Sequence, residues 1–302
     1  MSVMRSVFYV PGNREDLIAK MPKLPVDVIT LDLEDSVPPA EKEKARQLSH
    51  QSLQLAAFSG ADVYVRVNSW ETNMTSHDCE AVVEEGLTGV CLPKCTGPDD
   101  IRRLDWELER IELRKGIELG AIRIQILIES AKGMMNIYES ANASKRVSSI
   151  VFGAGDYTVD MGIALVQPVG EGLRWARALV ACAAKAANVL PIDSPYVAYE
   201  DIQGFEEDTL YSQQLGFDGR LLLAPRQIES CHRIYTPAPD RVQWAKETVK
   251  VFEEEGIAKG VGSLVHKGQV IDTVTYVQAT RLLQEMDEIE SREGKRATKK
   301  DS

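Results

Sequence analysis

Residues 26–39 read VDVITLDLEDSVPP, an apolar run that ends in a group of carboxylates and two prolines. A nearly continuous apolar strand is typical of a parallel sheet whose faces are covered by helices. Carboxylates at the end of such a strand are costly to remove from water unless they are paired. The stretch therefore indicates a parallel β/α fold with a polar site where its strands end.

The same alternation of short apolar runs and longer amphipathic segments recurs along the chain. It predicts strands at 5–10, 26–33, 62–67, 89–93, 122–129, 149–153, 189–193 and 219–224. Helices are predicted between them, among them 14–21, 39–57, 98–115, 171–187 and 200–214. Eight such units predict an α/β fold of the (β/α)8 TIM-barrel type. A doubly wound open sheet is the main alternative, but the first turn, VPGNRED, lacks the glycine-rich sequence of a phosphate-binding turn.

The chain changes character after residue 235. We interpret 1–235 as the catalytic barrel and 236–290 as a C-terminal helical extension that contains a glycine-rich, hairpin-like piece. The extension exceeds what the barrel needs, so it packs either on the same barrel or on a neighbouring subunit. Residues 291–302 are polar and cationic, and we predict that they are disordered.

Composition excludes several classes of function. The net charge of −11 argues against a nucleic-acid partner, because phosphate attraction needs a basic surface. No apolar stretch approaches the roughly 20 residues of a membrane helix, so no membrane association is expected. The first strand begins almost at the N-terminus, which leaves no room for a targeting peptide and predicts a cytoplasmic protein. Cys91 and Cys95 are the only closely spaced cysteines, and nothing nearby completes a zinc site.

Ionisable residues follow most of the predicted strands, at the end where (β/α)8 barrels place their active sites. Glu129 and Asp156 follow strands of consecutive units, and two carboxylates with room for water suit Mg²⁺. Each could instead cap the helix behind it. Arg66 ends a buried strand and needs a carboxylate, a phosphate or a developing oxyanion. We expect Glu34 and Asp35 to pair with Arg66 while its free edge faces a substrate.

Eight ordered motifs resemble those of the citrate lyase beta-subunit-like proteins, within the wider malyl-CoA and citramalyl-CoA lyase group. They are RSVFYVPGNREDLIAK, DVITLDLEDSVPPAEKEKAR, VYVRVNS, LPK, LIESAKGMMN, FGAGDYTVDMG, LPIDSPY and LGFDGRLLLAPRQI. The similarity runs from about Met4 to about residue 290. It implies a (β/α)8 barrel whose C-terminal segment closes a neighbour's active site in a homotrimer or hexamer.

The resemblance also implies roles for the residues at the strand ends. Glu129 and Asp156 match the Mg²⁺ ligands. Arg66 matches the arginine that polarises the reacting carbonyl, and Glu34 and Asp35 match the acidic pair that supports it.

Further matches concern the thioester and the proton transfer. Tyr9, Arg14 and Lys20 stand where the family contacts CoA, through an aromatic face and two cations. Asp272, in the C-terminal extension, matches an aspartate that acts as an acid or base. Asp272 also stands directly before a predicted helix, so it could serve as its N-cap.

The implied function is an Mg²⁺-dependent carbon–carbon lyase. It would cleave a 3-hydroxyacyl-CoA of the malyl-, citramalyl- or citryl-CoA type into a 2-oxo acid and acetyl-CoA, or catalyse the reverse. The alternatives are a CoA-independent aldolase of hydroxy-oxo acids, the beta component of a citrate lyase complex, and a barrel retained only for binding.

Two departures from the family's usual pattern change the expected pocket wall. Gly155 precedes Asp156 where a glutamate is usual, and Ala224 replaces the histidine of an Ile-His-Pro sequence.

Overall fold

The computed structural model describes residues 3–57, 60–168 and 171–300. Contacts divide the chain into two units, Met4–Ile234 and a C-terminal unit that starts at Tyr235. The first unit contains a closed barrel in which each strand pairs in parallel with the next and the last pairs with the first. Its strands are β1 Ser6–Pro11, β2 Val28–Asp32, β3 Asp62–Arg66, β4 Gly89–Leu92, β5 Arg123–Ile128, β6 Val147–Phe152, β7 Leu190–Asp193 and β8 Gly219–Leu222. The predicted (β/α)8 barrel is confirmed.

Helices fill the connections between the strands. They are α1 Glu15–Ile18, α2 Lys42–Ala57, α3 Thr75–Val82, α4 Pro98–Lys115, α5 Ala131–Met135, α6 Ile137–Ala141, α7 Ala154–Met161, α8 Glu171–Ala186, α9 Ile202–Gln214 and α10 Ile228–Tyr235. The helix predicted at 14–21 is instead the short α1 followed by a 3-10 turn at Met21–Lys23. Pro22 lies in the first turn of that 3-10 helix, and proline is disfavoured inside an α-helix because it lacks an amide hydrogen.

The barrel interior is filled by a layer of side chains to which every strand contributes one. The layer consists of Val7, Val28, Tyr64, Cys91, Leu127, Val151, Ile192 and Leu221, with Met4 beside it. All are buried, and burying apolar surface of this kind is the main force that stabilises a fold. The layer also fixes the orientation of the residues further along each strand.

The C-terminal unit contains two long helices and a hairpin. Its elements are α11 Pro239–Val251, a π-helical turn at Phe252–Ile257, β9 Ser263–His266, β10 Gln269–Asp272 and α12 Thr273–Lys300. The strands β9 and β10 are antiparallel. They are joined by Lys267 and Gly268, both with positive φ (48° and 77°), as a tight two-residue hairpin turn requires. The hairpin-like interpretation of this segment is confirmed.

Helix α12 corrects the predicted disordered tail. It continues to Lys300, through most of the segment 291–302 that the composition marks as disordered. The physical reason is that this segment is rich in Lys and Arg, which favour helix, and Gly294 is its one residue of very low helix propensity. In the part of the chain that the structure describes, no helix has the length and apolar character needed to cross a membrane.

Candidate active site

Side-chain alternation along the strands determines which residues enter the mouth of the barrel. Residues two positions apart on a strand point to the same face. Tyr64 and Leu127 belong to the interior layer, so Arg66 and Glu129 enter the mouth above them. Tyr9 lies two residues after Val7 of the interior layer, so by the same alternation it faces inward as well.

Arg66 is held by a bidentate ion pair with Asp32. Its Nε donates to Oδ1 at 2.6 Å and its Nη2 to Oδ2 at 2.7 Å, and both side chains are buried. Burial opposes both charges, but the ion pair outweighs it. The pKa of Asp32 therefore lies below its usual value and the pKa of Arg66 lies well above. Nη1 lies 3.3 Å from Glu34 and 3.7 Å from Asp35, so the expected pairs form but are secondary to Asp32.

Asp32 also organises the loop that follows β2. Its Oδ1 accepts a hydrogen bond from the backbone N–H of Glu34 at 2.9 Å, and its Oδ2 accepts one from that of Ser36 at 3.1 Å. Lys42 holds the same loop from the other side, because its Nζ donates to the carbonyl oxygens of Leu33 and Glu34, each at 2.7 Å. One buried carboxylate therefore fixes both Arg66 and the acidic loop beside it.

Lys94 connects the acidic loop to the far side of the mouth. Its Nζ lies 2.7 Å from Glu34 and 3.5 Å from Asp35, and its backbone N–H donates to Oε1 of Glu129 at 2.7 Å. The amide can aim at Glu129 because Lys94 adopts a left-handed backbone conformation with φ 52°. Burial works against the charged amine, but Glu34 and Asp35 raise the pKa of Lys94 above its usual value.

Glu129 and Asp156 form the second acidic group of the mouth. Burial raises the pKa of Glu129 to about 8, and the nearby charge of Asp156 contributes to the rise, although the N–H of Lys94 works in the opposite direction. A side chain at position 153 would collide with Glu129, because a Cβ on Gly153 would lie 2.7 Å from Oε2 of that carboxylate. Burial and the neighbouring carboxylate therefore both disfavour the ionised form of Glu129.

Neither carboxylate caps the helix that follows it. The N-cap of α5 is Ser130, whose Oγ accepts from Gly133 at 3.1 Å. The N-cap of α7 is Gly153, and Asp156 lies inside its first turn. The capping alternative is therefore excluded for both.

A cavity of about 250 Å³ lies between these groups. One part of its lining is polar and comprises Tyr9, Asp35, Arg66, Glu129 and Asp156. The remaining lining carries no charge and comprises Leu127, Gly153, Ala154, Gly155, Pro195, Leu221, Leu222 and Leu223. Of the two sequence departures, Gly155 lines the cavity itself, and Leu223, the residue before Ala224, lines it as well.

The three residues predicted to contact CoA separate into two places. Tyr9 lies at the cavity, with the Cζ of Arg66 5.0 Å from its ring centroid and its hydroxyl 3.5 Å from the Sγ of Cys91. Arg14 is exposed and makes a bidentate contact with Asp16 at 2.8 Å. Lys20 is exposed beyond α1. Neither cation is among the described residues that line the cavity.

Asp272 lies in the C-terminal unit, at the start of α12. Its Oδ1 accepts hydrogen bonds from the backbone N–H and the Oγ1 of Thr275, both at 2.8 Å. These donors lower the pKa of Asp272. The predicted capping role is confirmed, and it leaves the catalytic role as a prediction.

Sequence reasoning missed Asp32 as the principal partner of Arg66. Its inward orientation could have been predicted, because Asp32 lies four residues after Val28 and side chains alternate along a strand. The pairing of β2 with β3 then places it directly beside Arg66. Asp193, at the end of β7, follows the inward-facing Ile192, so it points outward and pairs with Arg177.

Charged groups gathered at the carboxyl end of a closed parallel barrel define the class of (β/α)8 enzymes. Residues 5–225 match the family described as HpcH/HpaI aldolase/citrate lyase. The chain belongs to this family, and it is a carbon–carbon lyase.

Individual relatives resemble the chain over nearly its whole length. The citrate lyase subunit beta of Leuconostoc mesenteroides subsp. cremoris is 33% identical, covering 92% of each chain. The L-malyl-CoA/beta-methylmalyl-CoA lyase of Rhodobacter capsulatus is 28% identical, covering 94% of each. A solved structure of the citrate lyase beta subunit of M. tuberculosis, complexed with oxaloacetate and magnesium, superposes with a TM-score of 0.65 at 25% identity. That similarity covers 78% of this chain and 98% of the other.

Proposed function

We propose that this chain is an Mg²⁺-dependent lyase that cleaves a 3-hydroxyacyl-CoA into a 2-oxo acid and acetyl-CoA, or catalyses the reverse reaction. The observation that carries the proposal is the placement of Arg66, fixed by Asp32, at the same cavity as Glu129 and Asp156. The names of the malyl-CoA and citrate lyase relatives support the substrate class.

The two carboxylates of the mouth fit a magnesium ion. Within residues 3–57, 60–168 and 171–300, no group of three or more His, Cys, Asp and Glu side chains is arranged to hold a metal. A metal here would therefore have Glu129 and Asp156 as its protein ligands, and Mg²⁺ commonly binds through one or two carboxylates and keeps several waters. Burial, together with the nearby charge of Asp156, raises the pKa of Glu129, and a bound cation would favour its ionised form. When bound, Mg²⁺ would supply Lewis-acid polarisation and a template for the oxo acid.

Arg66 would stabilise the charge that cleavage creates. As the alcohol O–H gives up its proton to solvent, its oxygen becomes the carbonyl of the oxo acid, and the electron pair of the broken carbon–carbon bond is left on the acetyl thioester as an enolate, whose methylene carbon then takes up one proton. A guanidinium that is already fixed by Asp32 and stacked on Tyr9 need not reorganise as this charge develops, which is how preorganised donors lower a barrier. Glu34 and Asp35 would hold Nη1, the remaining nitrogen of Arg66, and Lys94 would hold these two carboxylates.

We assign the proton transfer at the methyl carbon to Asp272. Its lowered pKa keeps the carboxylate ionised at neutral pH, as a base needs to be in the condensation direction. We further propose that the unit carrying it, the extension at 236–290, closes a neighbour's site in a cytoplasmic homotrimer or hexamer. Asp272→Asn mixed with Arg66→Ala should regain activity after subunit exchange. Absence of recovery despite demonstrated exchange would contradict action across subunits.

Arg14 and Lys20 are proposed to bind the phosphates of CoA. Arg14 already contacts Asp16, so phosphate would have to compete with that carboxylate on the surface. Tyr9, placed at the cavity beside Arg66, would meet the reacting end of the thioester rather than its nucleotide.

The experiment is a panel of acyl-CoA esters incubated with purified chain and Mg²⁺, with products identified by mass spectrometry. Cleavage to acetyl-CoA and a 2-oxo acid that free CoA inhibits would support the proposal. Cleavage of free hydroxy-oxo acids, insensitive to CoA, would favour the aldolase. The relatives named citrate lyase subunit beta favour a second candidate, the beta component of a citrate lyase complex. That candidate predicts no turnover of CoA esters by the chain alone and turnover of an acyl carrier protein substrate.

A further inference from the structure

The cavity is divided by charge around the barrel. The ionisable lining residues come from β1 to β3 and from the ends of β5 and β6. The sector formed by β7 and β8 contributes Pro195 and the run Leu221–Leu223, which are uncharged. We call these four residues the apolar wall. Leu223 retains 46% of its surface exposed, so it has apolar area available to a ligand.

Polar side chains of the β7–β8 sector are directed elsewhere. Asp193 pairs with Arg177, and Arg220 donates to the carbonyl oxygen of Ser194 at 2.9 Å and to Asp208. Gln227 uses its Oε1 to accept from the backbone N–H of Leu223 at 2.9 Å. These buried contacts hold the wall in position, and neither Arg177 nor Arg220 is among the described residues that line the cavity.

The cavity therefore has little means of binding a second carboxylate. Among its described lining residues Arg66 is the only cation, and two of its nitrogens already donate to Asp32. A carboxylate at the far end of an oxo acid would meet either the apolar wall or the acidic groups. Both alternatives are unfavourable, because a charge without a partner is costly to desolvate.

Gly155 lies next to a proposed metal ligand and lines the same cavity as the apolar wall. Gly155 directly precedes Asp156, and a Cβ at Gly155 would have no heavy atom within 4 Å among those described. The space beside Gly155 is therefore open, and Gly155 and Leu223 line the same cavity. A substituent on the 2-oxo carbon of an acid held at Glu129 and Asp156 would have this open part of the cavity available to it.

We propose that the oxo-acid half of the substrate is a monocarboxylic 2-oxo acid with an aliphatic chain, and that the apolar wall receives this chain. The inference rests on the proposed lyase function. In the condensation direction, the acetyl-CoA methyl group loses a proton to the base, its carbon bonds to the 2-oxo carbon, and the oxo oxygen takes up a proton to become the hydroxyl. Dicarboxylic oxo acids should react poorly.

The test compares acids of matched size in the condensation with acetyl-CoA and Mg²⁺. In 2-oxobutyrate a methyl group replaces the second carboxylate of oxaloacetate, and 2-oxopentanoate bears the same relation to 2-oxoglutarate. We expect kcat/KM to be at least about tenfold higher for the monocarboxylate of each pair, and to rise about fourfold for each methylene that reaches the wall. Equal or higher kcat/KM for the dicarboxylates would overturn the inference.

Two leucine variants test whether Leu223 contacts the aliphatic chain of the oxo acid. Leu223→Ala should lower kcat/KM for 2-oxopentanoate about tenfold and lower that for glyoxylate, which has no side chain, far less. Leu210→Ala is the matched control, because Leu210 is 45% exposed but lies on α9, away from the lining. Equal losses for both acids in Leu223→Ala would contradict a role in chain recognition.

Calorimetry of the oxo acids with Mg²⁺-loaded protein separates failure of the inference from failure of the proposed function. If no thioester turns over but 2-oxopentanoate binds more tightly than 2-oxoglutarate and Leu223→Ala removes the difference, the lyase proposal fails and the assignment of the wall is upheld. If thioesters turn over but the dicarboxylate binds as tightly or more tightly, the lyase proposal stands and the wall assignment is rejected.

Discussion

Replacing Asp32 with asparagine removes the charge that holds Arg66 while leaving the side-chain volume almost unchanged. Removing one partner of a buried ion pair costs about 3–5 kcal/mol of stability. Asparagine can still accept one hydrogen bond, and Glu34 remains 3.3 Å from the guanidinium, so we expect a loss at the lower end of this range, about 3 kcal/mol. Because Arg66 loses its fixed orientation, kcat should fall about 100-fold, as on removal of one transition-state donor.

The assay pairs urea unfolding with kcat measured on folded protein at saturating substrate. Glu112→Gln is the matched control. Glu112 is fully buried and makes a bidentate contact with Arg146 at 2.6 Å, on α4 and away from the cavity. It should lose similar stability but keep its kcat. If Asp32→Asn kept kcat within threefold of the unmodified protein, or if both variants lost kcat equally, the claim that Asp32 orients Arg66 for catalysis would be refuted.

Four other outcomes are expected. Asp156→Asn should fold normally but show at least about tenfold weaker Mg²⁺ binding by calorimetry; unchanged binding would remove the metal assignment. Without metal, the raised pKa of Glu129 means that the folded protein binds an extra proton, so thermal stability should fall as pH rises from about 4.5 to about 8 and then level off. Glu129→Gln should flatten that profile, and an unaltered profile would assign it to other groups. Gly153→Ala should lower stability and Mg²⁺ affinity together, because the added methyl displaces the carboxylate; a loss of neither would show that the loop relaxes at little cost. Arg14→Ala should raise KM for a CoA ester more than it lowers kcat, whereas an unchanged KM would argue against a phosphate contact.

The barrel could be predicted because its signal is local. Each strand is a run of apolar residues such as VITL, and each long helix has a periodic apolar face, so eight repeats specify the closed sheet. The short helices α3, α5, α6 and α7 have at most eight residues and show too little periodicity to be recognised. The tail was misjudged because composition alone does not separate a charged helix from a disordered segment.

The candidate site could be predicted only in part, because its decisive contacts join residues far apart in sequence. Glu129, Asp156 and Arg66 were identifiable as strand-end residues, and the structure brings all three to one cavity. The pairing of Arg66 with Asp32 depends on the register between β2 and β3, which no local pattern reveals. The contact from Lys94 to Glu129 depends on a left-handed backbone at Lys94. The apolar wall depends on which residues of β7 and β8 face inward.

The central claim is that Arg66 and a cation held by Glu129 and Asp156 act together on a thioester substrate. The most direct measurement is the yield of acetyl-CoA and 2-oxo acid from a 3-hydroxyacyl-CoA, followed by mass spectrometry with Mg²⁺, with EDTA and with Arg66→Ala. The account predicts equal amounts of the two products with Mg²⁺, none with EDTA, and a kcat reduced at least about 100-fold in the variant. Equal turnover with and without EDTA, or full activity of Arg66→Ala, would contradict it.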